Sequence, residues 1–399
     1  MRYFKKLFRL KIVFHFLNLI KLTITIFIGY MIKKNKKYEE IWLISERNNE
    51  ARDNGYHLFK YIRTYHSDIN VYYVIDKKAI DKKKIISLGN VIGFGSLKHF
   101  LLYVLSSKLI STHINGPLPD SFLCPYFKRI LPVQKKVVFL QHGVIKDYHA
   151  PLSYEKAGLD LFICGAEPEY HYVNRTFGYT NNEIRYLGLS RFDNLHDGVT
   201  KRQILLMPTF RMWLATDNLK KSSKDRKKFL ESEYYKVYQS FLNNPEISAL
   251  LDKNNFKLVF YPHYETQGYL DLFSANSKDI SIANSKEYDV QELLKDSAVL
   301  ITDYSSVFFD FSYMKKPIVY YHFDYNQFRK GHYKKGYFDY EKDGFGSIVK
   351  TEKEIFSELN KIIENNFNME ETYKRKVDCF FPLNDKENTK RNFEAIYDL

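Results

Sequence analysis

AVLITDYSSVFFDFSYMKKPIVYY, residues 298–321, reads as one strand–turn–helix–strand unit. An apolar run ends at Thr302, Asp303-Tyr304-Ser305-Ser306 turn the chain, a helix starts at Val307-Phe308-Phe309, and PIVYY (317–321) forms the next strand. Strands this uniformly apolar suit a parallel sheet covered on both faces. The turn offers free backbone N–H groups and two hydroxyls at a helix start, an anion site aided by the helix dipole. The competing reading is that Asp303 and Ser306 only cap a buried helix.

Outward from this unit the same alternation fills the chain. Upstream, QILLMP (203–208), KLVFYP (257–262) and ISIAN (280–284) are strands, with helix-compatible stretches at 227–242 and 289–295. Before a polar stretch near 192–202 lies an earlier set: IWLIS (41–45), VYYVID (71–76), NVIGF (90–94), KLIST (108–112), KVVFL (136–140), LFICG (161–165) and IRYLG (184–188). Two blocks of βα repeats predict an α/β protein of two Rossmann-like, doubly wound domains facing a cleft. The boundaries read as an amphipathic segment at 1–38, a first domain at 39–195 and a second at 196–399. With 399 residues, two domains are also what length predicts. Neither GxGxxG nor GxxxxGK[ST] occurs, which argues against dehydrogenases and P-loop NTPases. The segment 331–349, rich in cations, aromatics and glycines, reads as a loop.

The first 37 residues are apolar from 4 to 32, interrupted by Arg9, Lys11, His15, Asn18 and Lys21. The uninterrupted stretch 22–32 is about half of a bilayer span. A helix lying in the headgroup region fits, its cations reaching lipid phosphates and its apolar face entering the acyl boundary. Lys33, Lys34, Lys36 and Lys37 add attraction of about 1 kcal/mol each at an anionic surface. The alternatives are a helix docked on the protein's own core, or one tilted span. The formal charge of +14 favours polyanions. The cations are spread along the chain without a recognition motif, so nucleic acid is not the expected partner. Cys124, Cys164 and Cys379 form no CxxC pair and read as free thiols.

Ligands of doubly wound sheets sit beyond the carboxyl ends of the strands. There, KVVFL is followed by Gln141-His142-Gly143, KLVFY by Pro262-His263, and QILLM by Pro208-Thr209-Phe210-Arg211. A lone strand-end His is usually structural. Two imidazoles and a guanidinium together suit a diphosphate and one proton transfer.

These motifs, in this order, resemble the CDP-glycerol glycerophosphotransferase family of teichoic acid and capsule polymer synthesis. IWLISERNNEARDNGYHLFKYI (41–62) resembles its first βα unit, with Glu46, Arg47, Asp53, Asn54 and Gly55. QHGVIKD (141–147) resembles its His-Gly motif, GLSRFD (188–193) its Gly-x-x-Arg-x-Asp link, and MPTFR (207–211) its Pro-Thr-Trp-Arg motif. YPH (261–263), LITDYSSVFFDFSYMKKPIVYY (300–321) and GYFDYEKDGFGSIV (336–349) resemble later blocks. Phe210 stands in place of the usual Trp, Gln141 precedes His142 where Trp is common, and Pro262 precedes His263 rather than following it.

The resemblance implies a GT-B fold, a CDP-alditol donor, CMP as leaving group and a lipid-linked acceptor at the cytoplasmic face of the bacterial membrane, with the enzyme peripheral. By position, His142 and His263 are the catalytic candidates, with His142 as base for the acceptor hydroxyl. Arg211, Ser305 and Ser306 would join His263 on the donor diphosphate, with Thr209 also donor-binding and Asp303 either orienting the loop or contacting the donor. Gly143, Arg191, Asp193 and Asp53 are accessory or acceptor-side candidates. No carboxylate pair with evident Mg²⁺ spacing appears, so no metal or cofactor is called for. The rival readings are a GT-B glycosyltransferase with a nucleotide-sugar donor and a non-catalytic protein that grips an anionic polymer.

Overall fold

The computed structural model describes residues 2–215, 222–331 and 334–399. The Arg9 side chain, and His332 and Tyr333 of the 331–349 segment, lie outside the described residues. The chain divides into two compact units. The first takes the chain up to His142 together with Ala150–Asp193 and Asp385–Leu399; the second takes Gly143–His149 and Asn194–Asn384.

The first unit holds β1 (Ile41–Ser45), β2 (Val71–Ile75), β3 (Val91–Gly93), β4 (Ser106–Ser111), β5 (Lys136–Phe139), β6 (Leu161–Cys164) and β7 (Ile184–Tyr186), in the order β3-β2-β1-β4-β5-β6-β7. The second holds β8 (Gln203–Met207), β9 (Lys257–Phe260), β10 (Ile280–Ile282), β11 (Val299–Thr302), β12 (Ile318–Tyr321) and β13 (Gly346–Val349), in the order β10-β9-β8-β11-β12-β13. Every pairing is parallel. The strand order reverses beside β1 and β4 in one sheet and beside β8 and β11 in the other. Those are the points where doubly wound sheets open to ligands.

β1 shows why the sheet is parallel and buried. Trp42 and Ile44 face a core with Leu58 and Phe59 of the helix Asn54–Tyr65 and with Phe393 and Ile396 of the helix Asn388–Tyr397. Ile41 and Leu43 face the other side, against Phe100 and Val104 of the helix Leu97–Leu105 and Leu22 of the N-terminal helix. Each such side chain contributes about 1.5–3 kcal/mol when fully buried.

Four departures have physical causes. The stretch 227–242 is two helices, Ser223–Glu231 and Glu233–Leu242, because Ser232 turns extended and its hydroxyl accepts from Tyr235 N. β13 lies inside the segment expected to be a loop; Gly346 belongs there because a Cβ would stand 2.0 Å from the Ile318 carbonyl oxygen. Residues 385–399 pack on the first unit, not with 196–384. The Asp193 carboxylate fixes them: Oδ1 accepts from Asn388 N and Nδ2 (3.0 and 2.8 Å), Oδ2 from Thr389 N (2.8 Å). Finally, three polar side chains of the helix Arg2–Ile32, those of His15, Asn18 and Lys21, bond to the protein. His15 Nδ1 and Asn18 Nδ2 meet Asp120 Oδ2 (2.8 and 3.0 Å), and Lys21 Nζ donates to Gly95 O (3.1 Å).

Candidate active site

Each unit gathers chemistry at the carboxyl ends of its strands. In the first, Asn54 ties three segments together. Its Nδ2 donates to Leu140 O (3.2 Å) and Gln141 O (2.8 Å), and its Oδ1 accepts from Arg191 N (3.0 Å). Gln141 is left-handed at φ +61, which for a residue with a Cβ costs about 1–3 kcal/mol. Its side chain is anchored by Nε2 to Ile163 O. This held turn presents His142.

The His142 ring stacks on His113 at 4.8 Å and 11°, and its Nδ1 lies 3.2 Å from Thr112 O. A carbonyl only accepts, so Nδ1 carries the proton of the neutral ring and Nε2 keeps its lone pair. The ring keeps contact with solvent. Protein packed around it nonetheless removes enough water to lower its pKa, against the opposing pull of the Asp53 carboxylate. His142 is therefore neutral at pH 7 with a basic Nε2. Burial first, then His142, pushes His113 down to about 3, so it stays uncharged.

Asp53 pairs with Arg191 Nη1 at 2.7 Å and caps the helix Asn54–Tyr65 through Asn54 N. Burial raises the Asp53 pKa, but Arg191 and His142 outweigh it and hold the carboxyl below its usual value. Glu46 accepts from Arg52 N, Asp53 N and Tyr56 N (2.9, 3.0 and 2.7 Å). Burial, then the Asp53 charge, lifts its pKa to about 8, so it is protonated at pH 7. Asp53 is thus the carboxylate whose charge acts on His142. Asp193 stands apart from this group, spent on the C-terminal helix. Gly143 directly follows His142 and begins the loop that belongs to the second unit.

In the second unit, Arg211 was the expected diphosphate contact; its side chain is fully enclosed. Nε and Nη2 form a fork on Asp324 (2.6 and 3.0 Å), while Nη1 donates to Asp303 Oδ2 (2.9 Å) and Thr209 O (3.0 Å). Tyr234, Tyr304 and Phe328 rings wall it in at 5.1–5.3 Å. Burial alone would lower its pKa, but Asp303 and Asp324 hold it well above the usual guanidinium value. Arg211 therefore organises the loops and offers no surface to a ligand. Asp303 is equally enclosed: besides Arg211, it accepts from Thr209 N (2.8 Å) and Tyr304 N. Asp303 makes no side-chain cap for the helix Val307–Tyr313 and its carboxylate is enclosed, so of the expected readings the loop-orienting one fits these contacts. Thr209 is part of the same network.

Ser305 and Ser306 follow. Among the described residues neither hydroxyl bonds to protein, and Ser306 makes no side-chain cap for the helix Val307–Tyr313. His263 stacks on Phe210 (4.7 Å, 28°), and its Nδ1 accepts from Glu265 N at 3.2 Å. The proton of its neutral ring is therefore on Nε2, making that atom a donor.

The loop Gly143–His149 adds residues that sequence reading passed over. Buried Asp147 joins Lys146 Nζ and Arg329 Nη1 (the latter at 2.8 Å), leaving one net positive charge. Arg329 Nε is buried without a hydrogen-bond partner among the described residues. His322 Nε2 meets Asp303 O at 3.1 Å. Among the described residues no group of three or more His, Cys, Asp or Glu is placed to hold a metal ion. His113 carried a readable signal, a His directly after a strand; Lys146 and Asp147 stand inside the His-Gly motif.

Comparison with known proteins decides the family. The profile of the family described as CDP-Glycerol:Poly(glycerophosphate) glycerophosphotransferase matches residues 26–398. The chain belongs to this family. The minor teichoic acid biosynthesis protein GgaB of Bacillus subtilis (strain 168) is 33% identical over 365 residues, covering 90% of this chain and 40% of that protein. The teichoic acid poly(glycerol phosphate) polymerase of the same organism is 24% identical over 85% of this chain and 46% of its own length. The chain thus spans less than half of either relative. The solved structure of the wall teichoic acid polymerase TagF superposes with a TM-score of 0.70 at 17% identity, covering 99% of this chain and 97% of that one. The fold is the GT-B-like α/β architecture that the resemblance implies.

Proposed function

We propose that this glycerophosphotransferase-family chain transfers a glycerol-phosphate, or related alditol-phosphate, unit from CDP-glycerol to a hydroxyl of a lipid-linked acceptor, releasing CMP, in teichoic acid or capsule polymer synthesis. The observation that carries the reading is the His142 tautomer, in a chain whose family profile spans residues 26–398. His142 Nε2 takes the acceptor proton as the hydroxyl oxygen bonds to the glycerol-bearing phosphorus. The bond from that phosphorus to the bridging oxygen breaks, CMP leaves with the oxygen and its electron pair, and the proton on His142 passes to water.

His263 Nε2–H, the Ser305 and Ser306 hydroxyls and the cationic Lys146–Asp147–Arg329 group are the donors proposed for the diphosphate. Thr209, Arg211 and Asp303 hold those loops in place, and Asp53, paired with Arg191, stabilises the imidazolium form of His142. Positioning and charge stabilisation supply most of the acceleration in such transfers, and a placed base adds about 10²–10⁴-fold. No resident metal is assigned. The enzyme is proposed to work at the cytoplasmic face of the cell membrane, attached through its N-terminal helix.

The test uses purified full-length protein with CDP-glycerol, CDP-ribitol and a panel of nucleotide sugars, with a synthetic lipid-linked acceptor, with and without EDTA. CMP release coupled to an acceptor mass gain of one alditol phosphate, unaffected by EDTA, is the expected result. Sugar transfer, or acceptor binding without CMP release, would overturn the reading.

A further inference from the structure

Resting on His142 as the proposed base, we infer that His113 is its positioning residue, a flat uncharged ring that holds the plane of the His142 imidazole and so aims the Nε2 lone pair. The hydrogen bond from His142 Nδ1 to Thr112 O, at 3.2 Å, fixes one edge of that ring and no more. Rotation about the bond to an sp² ring has broad minima, so an imidazole held only at its edge still swings. A second constraint, at right angles to the first, stops it. The His113 ring supplies that constraint, stacked on His142 with centroids 4.8 Å apart and planes 11° from parallel. Two adjacent residues therefore form one clamp, Thr112 on the edge of the base and His113 on its face.

The sheet builds this clamp. Thr112 prolongs β4: its N–H donates to Ser45 O of β1 (3.4 Å), while Ser111 O accepts from Leu140 N (2.8 Å) on the stretch that leads to His142. β4 and β5 are parallel neighbours, so clamp and base leave the sheet at the same end. Beyond Thr112 both backbone polar groups of His113 are engaged. Its N–H donates to Ser111 Oγ (3.1 Å), and its carbonyl accepts from Gly116 N (3.1 Å). The ring itself is tied through Nδ1, 2.9 Å from the buried Thr112 Oγ1. Gly116 is required for this turn, since a Cβ there would collide with Ser111 Oγ and Ser45 Oγ.

A positioning ring must not compete for the proton. His142 becomes an imidazolium when it takes the acceptor proton, and a second cation stacked on it would repel that charge. Burial, then His142, then Arg47 hold the His113 pKa to about 3 against the pull of Asp53, so His113 stays neutral throughout. The charges that act on His142 are those of Asp53, Arg47 and Arg191. His113 contributes no charge. It contributes a face that keeps water off the base, part of the burial that lowers the His142 pKa.

Three substitutions separate the ring of His113 from its polarity. Each is read by CMP release from CDP-glycerol and by NMR titration of the histidine ring carbons of the full-length protein. The His142 signal is the one missing in His142→Ala, and the other histidine signals report an intact fold. His113→Phe keeps a flat ring and should leave kcat near the parent value. His113→Ala and His113→Asn lose the ring, and kcat should fall about tenfold to a hundredfold with KM for CDP-glycerol unchanged, as for a base held about 1 Å out of place. Asn can still bond the Thr112 hydroxyl, so it isolates the stack. In a His142→Ala background, His113→Ala should lower turnover no further, because nothing remains to be positioned. The His142 pKa should rise toward the ordinary imidazole value in His113→Ala, as water reaches the ring, and stay low in His113→Phe. Parent-like kcat in His113→Ala, or rescue by Asn where Phe fails, would overturn the assignment. So would a further loss in the double variant, which would make His113 a group that acts on substrate itself. The titration needs no turnover. If no donor yields CMP, the reading of the reaction fails; if the His142 pKa is the same with Ala as with His at 113, the stack has no role.

Discussion

His142 and His263 each follow a parallel strand, in different units, and they are wired in opposite senses. His142 gives its Nδ1 proton to a carbonyl, that of Thr112, and so faces outward with a lone pair. His263 accepts a hydrogen bond at Nδ1 from the Glu265 amide, so the proton of its neutral ring is on Nε2. The same side chain becomes a proton acceptor in one place and a hydrogen-bond donor in the other, and a single backbone contact decides which. The difference teaches that the role of an imidazole is set by what its far nitrogen touches. Their neighbourhoods differ too: His142 has a carboxylate, Asp53, and a stacked neutral imidazole, whereas His263 has the Phe210 ring.

The sharpest way to break this comparison is His142→Ala. Turnover should fall by about 10²–10⁴-fold with folding and donor binding retained, measured as CMP release and donor titration. His142→Gln should do no better, since an amide is no base at neutral pH. Arg211→Met tests the assignment of the neighbouring guanidinium. It leaves Asp303 and Asp324 buried without their cation and should cost about 3–5 kcal/mol in denaturant unfolding. Unchanged stability with a raised KM for donor would return Arg211 to phosphate binding. His263→Ala should lose about 10²–10³-fold in kcat, as for a missing oxyanion donor, and His263→Gln should recover part of it because its amide N–H can donate. Equal losses at both substitutions would erase the distinction between the two histidines.

The smallest effect is in the pH profile. Because the His142 pKa lies below the usual imidazole value, the acid limb of kcat/KM should fall below pH 6.5. The Asp53 carboxylate favours the protonated ring, so Asp53→Asn lowers the His142 pKa further and moves that limb to lower pH. A shift to higher pH, or none, would remove Asp53 from the role of counter-charge. Asn remains an effective helix cap, so a loss of fold is not the expected cause of any change.

The strands were legible because parallel strands buried on both faces carry near-continuous apolar runs, as IWLI of IWLIS and LVF of KLVF do. β13 was not, since one glycine, a serine and two aliphatics inside a Gly-rich stretch carry no such run. The strand-end histidines were legible as candidates, but their tautomers depend on Thr112, 30 residues before His142, and on the local turn at Glu265. Arg211 looked like a phosphate ligand because its partners lie 92 and 113 residues away, where no local pattern reveals them. The inward contacts of His15 and Asn18 were equally hidden: their partner Asp120 lies more than a hundred residues on.

The return of residues 385–399 to the first sheet has a consequence for biosynthesis. Asn388 reaches Asp193 across 195 residues of chain. At about 5–20 residues per second on the ribosome, roughly 10–40 s pass before that helix can cover Trp42 and Ile44. Throughout that interval the nascent first unit shows a bare hydrophobic flank, so chaperone supply, rather than final stability, should set how much folded enzyme a cell accumulates.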